Sequence, residues 1–220
     1  MSVTYPLGPL AAGAALLMLA ACASPDPVAY GGLASSSYLK ANRDTDAGRL
    51  PFAYSTHPDW RGYSKVLIEP VAVYAGADNQ LGDLSPEDRA ELAGYMQEQF
   101  SAALAKRFRL AAGPGRDTLR VRLTLAGAAT NSAVISTFAR VDMAGSLYNG
   151  IQAVRGHEGM MMGSVSYAVE IYDAGSDRLL EAFVAKQYPG AYNIGATFGS
   201  LAAARTGVDK GAEALAEHFE

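Results

Sequence analysis

Two segments of the chain alternate apolar and polar residues, the pattern of a β-strand with one face against a core. In residues 118–126, Arg120, Arg122 and Thr124 alternate with the apolar residues Leu119, Val121, Leu123 and Leu125. Residues 164–172 repeat the pattern, with Val165, Tyr167, Val169 and Ile171 predicted to point inward. A sheet with one apolar face needs a covering layer, so the pattern calls for helices on that face.

The clearest helix signal begins at Ser85. Ser85 can cap the first turn, Pro86 suits the first helical position, and two acidic residues follow near the positive end of the helix dipole. Apolar residues then recur at helical spacing up to Phe108, which predicts a helix over residues 86–107. We expect Phe100 on this helix to meet Leu123 on the strand.

Further elements complete a mixed architecture. We predict a strand over residues 65–74, with Pro70 marking an edge, a bulge or the strand's end. Residues 173–177 form a turn, and residues 178–188 return as the second strand of a hairpin. A C-terminal helix presents Leu201, Ala204, Val208, Ala212, Leu215 and Phe219 on one face and is weakened by Gly207 and Gly211. Residues 132–155 are interpreted as another helix. The predicted fold class is α+β, with helices packed on one face of a mixed or antiparallel sheet.

The amino terminus carries an export signal. Residues 1–21 contain no charged side chain, and residues 10–21 form an apolar run within the roughly 7–15 residues of a signal-peptide core. The only cysteine, Cys22, directly follows this run, and Leu19-Ala20-Ala21-Cys22 resembles a bacterial lipobox. That resemblance implies cleavage between Ala21 and Cys22 and a diacylglyceryl group on the Cys22 thiol. The alternative is a buried free cysteine in an N-terminal helix.

The residues after the cysteine are rich in Pro, Gly, Ser and Ala, a composition that buries little surface. We therefore predict a cleaved signal peptide over 1–21, a lipid-anchored flexible tether over 22–37 and a single α+β domain over 38–220. Ala23 stands after the cysteine where aspartate would signal retention in the inner membrane. By resemblance to enterobacterial lipoprotein sorting, we predict that the protein is anchored at the periplasmic face of the outer membrane.

A family resemblance is carried by residues 57–71, His57-Pro58-Asp59-Trp60-Arg61-Gly62-Tyr63-Ser64-Lys65-Val66-Leu67-Ile68-Glu69-Pro70-Val71. An acid-aromatic pair, a tyrosine and a strand ending in Glu-Pro-Val resemble the bacterial envelope lipoproteins of the domain of unknown function family 3313. The hairpin around residues 169–180 is also similar to that family. The resemblance implies an exported lipoprotein with an α+β domain, and it implies no catalytic residue.

Composition excludes several functional classes. A net charge of −4 and an isoelectric point near 5.4 give no electrostatic basis for binding nucleic acid. One cysteine and three histidines leave little scope for a metal site, and no phosphate or dinucleotide loop occurs, so no cofactor is predicted. His157-Glu158 is either a base with its orienting acid or a loop pair. Met160-Met161-Met162 is either a soft-metal site or packing.

Two surfaces are candidates for contact with a ligand or partner. Trp60 and Tyr63, with Phe52 and Tyr54 upstream, either form a groove or pack the loop onto the core. Arg120 and Arg122 belong to a stretch, residues 106–122, with six basic residues and one acid. This basic stretch either faces anionic groups or is an ordinary solvated edge.

These features favour a non-enzymatic binding or structural accessory protein of the cell envelope, held to the membrane by an N-terminal lipid anchor. Its partner would be an envelope protein, peptidoglycan, or a transport or secretion assembly. The alternative is a small envelope-remodelling hydrolase. Its catalytic groups would come from His57, Asp59, His157 and Glu158, and a histidine hydrogen-bonded to a carboxylate inside a pocket would favour it.

Overall fold

The computed structural model describes residues 26–43, 48–129, 163–189 and 201–220. The strands are β1 (Lys40–Ala41), β2 (Phe52–Ser55), β3 (Lys65–Ile68), β4 (Ala72–Val73), β5 (Arg109–Leu110), β6 (Thr118–Ala128), β7 (Val165–Asp173) and β8 (Leu179–Gln187). The helices are α1 (Pro86–Leu104) and α2 (Ala202–His218), and a 3-10 helix spans Trp60–Gly62. Neither α-helix in these described ranges is long and apolar enough to cross a membrane.

The eight strands form one mixed sheet in the order β1-β2-β8-β7-β6-β3-β5, with β4 also paired to β6. From β1 to β6 the neighbours are antiparallel, whereas β3 and β4 run parallel to β6 and β5 runs parallel to β3. The predicted hairpin is confirmed as β7 and β8. The predicted strand over 65–74 is divided into β3 and β4, because Pro70 ends β3 and cannot donate a ladder hydrogen bond.

Both helices cover one face of the sheet, which confirms the predicted fold class. Ser85 caps α1 by accepting a hydrogen bond from the Asp88 amide at 3.0 Å, and Pro86 occupies the first turn. Phe100 and Leu123 are both fully buried in the same core cluster, as the two periodicities predicted. Tyr95 on α1 donates a hydrogen bond to Asp209 on α2 at 2.7 Å, which ties the helices together.

The opposite face of the sheet is also partly covered, and this corrects two predictions. Residues 26–39, which we name the N-terminal strap, lie across it, with Tyr30 1% and Leu33 7% exposed. The predicted flexible tether is therefore wrong for the part of the strap before residue 38. Its aromatic and aliphatic side chains pack on Ala126, Ala168 and Val184. The prediction that only one face of β6 is buried is wrong at Thr124, which belongs to the polar set but is 6% exposed.

The glycines of α2 have a packing role that the sequence analysis missed. A Cβ at Gly207 would lie 2.8 Å from Cγ1 of Val165 and 2.9 Å from the Gln187 carbonyl oxygen. The absence of a side chain lets the helix approach the sheet closely. The predicted helix over 132–155 and the segments His157-Glu158 and Met160-Met162 lie outside the described residues, as do Ala21 and Cys22.

Candidate functional site

An open cleft of about 520 Å³ lies at the end of the sheet where β3 and β6 begin and β7 ends. Loops from three parts of the chain build it. Its lining consists of Thr56, His57, Pro58, Asp59, Gly62, Tyr63, Asp117, Asp173 and Arg178. The predicted candidates Tyr63, His57 and Asp59 are thus brought together by the fold.

The rim of this cleft is built on backbone in the left-handed region. His57 has a φ of 52°, Asp117 of 52° and Asp177, in the turn beside Arg178, of 59°. Positive φ is uncommon for non-glycine residues, although aspartate and histidine adopt it more often than most. Such conformations persist only where the surrounding structure holds them, and they are found preferentially at ligand-binding and catalytic sites.

Asp117 is held on one wall of the cleft by donors from β3 and the residue before it. Its carboxylate accepts hydrogen bonds from the Ser64 hydroxyl and, at 3.2 Å, from Nζ of Lys65. The Ser64 hydrogen bond, followed by the Lys65 ammonium, lowers the pKa of Asp117. Its backbone carbonyl also accepts from the amides of both residues. Asp117 therefore stays ionised and fixes the start of β6 against β3.

Asp173 closes the other wall, at the end of β7. Oδ1 accepts from the Ser176 amide and hydroxyl, both at 2.7 Å, while Oδ2 accepts from the Tyr63 hydroxyl at 2.9 Å. These donors, Ser176 first, lower the pKa of Asp173. Burial raises the pKa of the Tyr63 hydroxyl, and the hydrogen bond to Asp173 raises it further. Tyr63 therefore remains a protonated donor at neutral pH.

His57 and Asp59 do not form an acid–base pair. The Asp59 carboxylate accepts a hydrogen bond from the Arg61 amide at 3.1 Å and caps the 3-10 helix. The His57 amide donates to the Ser55 hydroxyl at 3.0 Å. In the part of the chain that the structure describes, the His57 imidazole hydrogen-bonds to no carboxylate. Within those same residues, no group of three or more histidine, cysteine or acidic side chains is arranged to hold a metal ion.

Arg120 and Arg122 belong to an ion-pair network on the sheet face opposite the helices. Glu69, just past β3, accepts from Nη1 of Arg120 at 2.6 Å and from Nε of Arg122 at 2.8 Å. Burial alone would raise the pKa of Glu69, but hydrogen bonds from Arg122 and Arg120 lower it on balance. The Arg120 guanidinium also pairs with Asp177 and lies 4.2 Å from the ring centroid of Tyr172.

The four predicted contact residues consequently do not form one surface. Trp60 packs on the helix-side core, with its ring centroid 4.9 Å from that of Phe219, and Tyr63 packs against the same core cluster. Trp60 therefore fits the packing interpretation, whereas Tyr63 both packs on this core and lines the cleft. Arg120 and Arg122 lie on the other face and are paired with Glu69. The sequence signal for this pairing is an acid after one strand and two arginines at alternate positions of another strand. The predictions above did not connect these residues.

Solved structures show limited similarity to this chain. A PelC dodecamer from Paraburkholderia phytofirmans has a TM-score of 0.40 at 12% identity, with 74% of this chain and 93% of that chain covered. A DUF4136 family protein from Bacteroides thetaiotaomicron has a TM-score of 0.35 at 13% identity, with coverage of 76% and 95%. A DUF330 protein from Xanthomonas campestris has a TM-score of 0.35 at 9% identity, with coverage of 74% and 87%.

Sequence comparison with curated proteins finds no match. The profile of the family described as "Protein of unknown function (DUF3313)" matches residues 29–215. This range includes the strap from Ala29 onward, both helices up to Leu215 and every strand, which agrees with the packing of the strap as part of the domain. The chain belongs to the DUF3313 family.

Proposed function

We propose that this protein is anchored to the periplasmic face of the outer membrane by lipid on Cys22 and acts there as a non-enzymatic binding protein of the cell envelope. The anchor is supported by the apolar run that ends at the chain's only cysteine. A single acyl chain binds a bilayer weakly, and two or more give stable attachment. The partner is an envelope protein or peptidoglycan, and the cleft is the surface that binds it.

Binding is favoured over catalysis by one observation: each carboxylate of the cleft already holds donors from its own chain. Asp59 caps the 3-10 helix, Asp117 accepts from Ser64 and Lys65, and Asp173 accepts from Tyr63 and Ser176. A general acid or base works best with a pKa near the operating pH. The pKa values of Asp117 and Asp173 are lowered instead, which suits structural anions.

The groups left for a partner are cationic or neutral donors. His57 and Arg178 both line the cleft, and neither side chain hydrogen-bonds to another of the described residues. A guanidinium recognises a carboxylate with two parallel hydrogen bonds. A peptide carboxylate, from an envelope protein or from a peptidoglycan stem, fits this chemistry.

The anchor is tested with the variant Cys22→Ser. We expect wild-type protein in the outer-membrane fraction with a processed, acylated amino terminus by mass spectrometry, and the variant released from membranes. An unmodified Cys22, or retention of residues 1–21 in wild-type protein, would contradict the anchor.

The binding surface is tested by placing a photoreactive amino acid at position 57 in the cleft or at position 73 as a control. Val73 is 36% exposed and pairs with Leu125 of β6, eight residues along the chain from Asp117 of the cleft. We expect a crosslink to a peptide-bearing envelope component from position 57 alone, and its loss when Arg178→Gln is added. Equal crosslinking from both positions would contradict a specific cleft.

The alternative, an envelope-remodelling hydrolase, rests only on the placement of His57 and Asp59 on one cleft with Asp117 and Asp173, because the His57 imidazole hydrogen-bonds to none of these carboxylates. Purified protein would then release soluble fragments from peptidoglycan, and His57→Gln would abolish the release. If the protein only binds, neither the wild type nor His57→Gln should release soluble fragments. If peptidoglycan is the partner, the wild-type protein should also sediment with insoluble peptidoglycan.

A further inference from the structure

The N-terminal strap places the start of the folded structure at a defined end of the sheet. The Asp26 carboxylate lies 3.4 Å from Nζ of Lys186, near the end of β8, and the Asp26 carbonyl accepts from Nε2 of Gln80 at 2.8 Å. Gln80 in turn bridges to Gly127, near the end of β6. Asp26 is therefore fixed where β6 and β8 end.

The strap is held to the sheet by hydrogen bonds along its length. Tyr30 donates to Oε1 of Gln80 at 2.8 Å, and the amide of Gly32 donates to the Tyr74 hydroxyl at 2.8 Å. Farther along, the amide of Ser35 donates to Oε1 of Glu170 at 2.7 Å, and Glu170 is only 1% exposed. Leaving this buried carboxylate without its donor would destabilise the fold. The strap is therefore held on the sheet and is not a flexible linker.

Only a short piece of chain separates this fixed point from the proposed lipid. Asp26 stands four residues after Cys22. Four residues span at most about 14 Å even when fully extended. A lipid on Cys22 therefore keeps the Asp26 end of the sheet within that distance of the bilayer surface.

The cleft lies at the other end of the same strands. Lys186, the ion-pair partner of Asp26, is opposite Ser166 in the β7–β8 register, and Asp173 of the cleft is seven residues farther along β7. At about 3.4 Å per residue, the cleft is about 24 Å from the Asp26 end along the sheet.

We infer that the domain stands on the membrane with the end marked by Asp26, Lys186 and Gly127 facing the lipid, and that it presents the cleft away from the bilayer. This inference rests on the proposed anchor at Cys22. The bilayer surface is therefore the partner that this end of the sheet faces. The orientation also requires that the cleft's partner approach from the periplasmic side, where peptidoglycan and soluble envelope proteins lie.

Tryptophan fluorescence tests the orientation, because Trp60 is the only tryptophan in the chain and lies beside the cleft. The near end is reported by Val28→Trp combined with Trp60→Phe, since Val28 is 39% exposed and two residues from Asp26. Each protein, beginning at Cys22 and without the signal peptide, is coupled through the Cys22 thiol to a maleimide phospholipid in phosphatidylethanolamine–phosphatidylglycerol vesicles carrying a headgroup spin label. We expect the spin label to quench the tryptophan at position 28 and to leave Trp60 unquenched.

Equal quenching of the two reporters, quenching of Trp60 alone, or no quenching of either would overturn the orientation. As a control, twelve Gly/Ser residues inserted between Ala23 and Ser24 should abolish quenching at position 28. Unchanged quenching after that insertion would show that the short reach does not set the orientation. Because the lipid is attached chemically, this test does not depend on lipidation in the cell. Mass spectrometry of membrane-extracted protein measures that lipidation separately. The anchor and the orientation can therefore be refuted independently of each other.

Discussion

Replacing Gly211 with alanine should destabilise the fold, although alanine is the better helix former. Gly211 lies in α2 against the sheet, and a Cβ there would be 2.8 Å from Cζ of Tyr167 and closer still to its hydroxyl oxygen. Tyr167 is 2% exposed and packs edge-on against Phe100 at 5.5 Å, so its ring has no open space to enter. The new methyl group must therefore push the helix or the ring.

The size of the effect follows from two opposing contributions. Alanine gains about 1 kcal/mol over glycine in a helix interior. Overpacking a well-packed core costs about 1–3 kcal/mol and occasionally more. Because the clash involves a buried ring rather than a flexible side chain, we place the cost at the upper end. The free energy of unfolding should then fall by about 2 kcal/mol for Gly211→Ala.

Gly94→Ala is the matched control. Gly94 is an exposed residue of α1, and a Cβ there meets nothing within 4 Å. It should keep the full helix gain and raise stability by up to about 1 kcal/mol. Urea unfolding of the two variants and the wild type measures both shifts. Shifts of the same sign would refute the reasoning, and so would an unchanged cost of Gly211→Ala in a Tyr167→Phe background, where the nearest atom is absent.

Three further outcomes are expected. Phe100→Ala should lower the free energy of unfolding by about 3–5 kcal/mol through lost burial and a cavity, whereas Thr124→Ala should cost about 1 kcal/mol; equal urea midpoints would contradict this assignment of strand faces. Glu69→Gln should cost about 1–2 kcal/mol at neutral pH because two arginines lose their shared anion. Since the pKa of Glu69 is lowered in the fold, this contribution is present above its unfolded pKa and is lost as the pH falls through the folded pKa. A wild-type-like acid unfolding profile for Glu69→Gln would contradict that reading. The hydrogen bond to Glu181, 2.9 Å away, raises the pKa of His218 above 6.5. The resulting stabilisation, below about 1 kcal/mol for this part-exposed pair, is present below pH 6.5 and lost as the pH rises through the folded pKa. Thermal melts of His218→Gln should lack that alkaline loss, and a loss equal to that of wild type would contradict the assignment.

The helix-side core was predictable because one-sided burial leaves a period in the sequence. Leu123 and Phe100 were placed together from a two-residue and a 3.6-residue repeat, and both are fully buried. The strap was not predictable in this way. It contributes only Tyr30 and Leu33 to the core, within a stretch whose Gly, Pro and Ser content is typical of a linker. Its decisive contact joins Ser35 to Glu170 across 135 residues, and no local pattern reports such a pairing.

The cleft illustrates the same limit. Tyr63 was singled out for its aromatic neighbours, but its hydroxyl bonds Asp173, which is 110 residues away at the end of another strand. Asp173 was interpreted as a turn residue, and it serves in that role as well through Ser176. Each residue alone has a local explanation, so only the fold shows that the turn and the aromatic loop form two walls of one cleft.

The Glu-Pro-Val motif that carried the family resemblance now has a physical explanation. In the parallel register Leu67 is opposite Arg120, so Glu69, two residues on, is level with the stretch of β6 that carries Arg122. Pro70 ends β3 directly after this acid, and the Glu69 amide still donates to the Val121 carbonyl at 2.9 Å. The carboxylate is thereby aimed at both guanidiniums, and Arg120 continues the network to Asp177 beside Arg178 of the cleft. The Glu-Pro-Val motif at the end of β3 therefore supplies the acid of the ion-pair network, and the alternating arginines of β6 supply its bases. Removing one partner of such a network leaves a partly buried charge without compensation, whereas replacing all partners with apolar groups destabilises the fold far less. We therefore expect joint replacement of Glu69, Arg120 and Arg122 by apolar residues to lower the free energy of unfolding less than replacement of Glu69 alone.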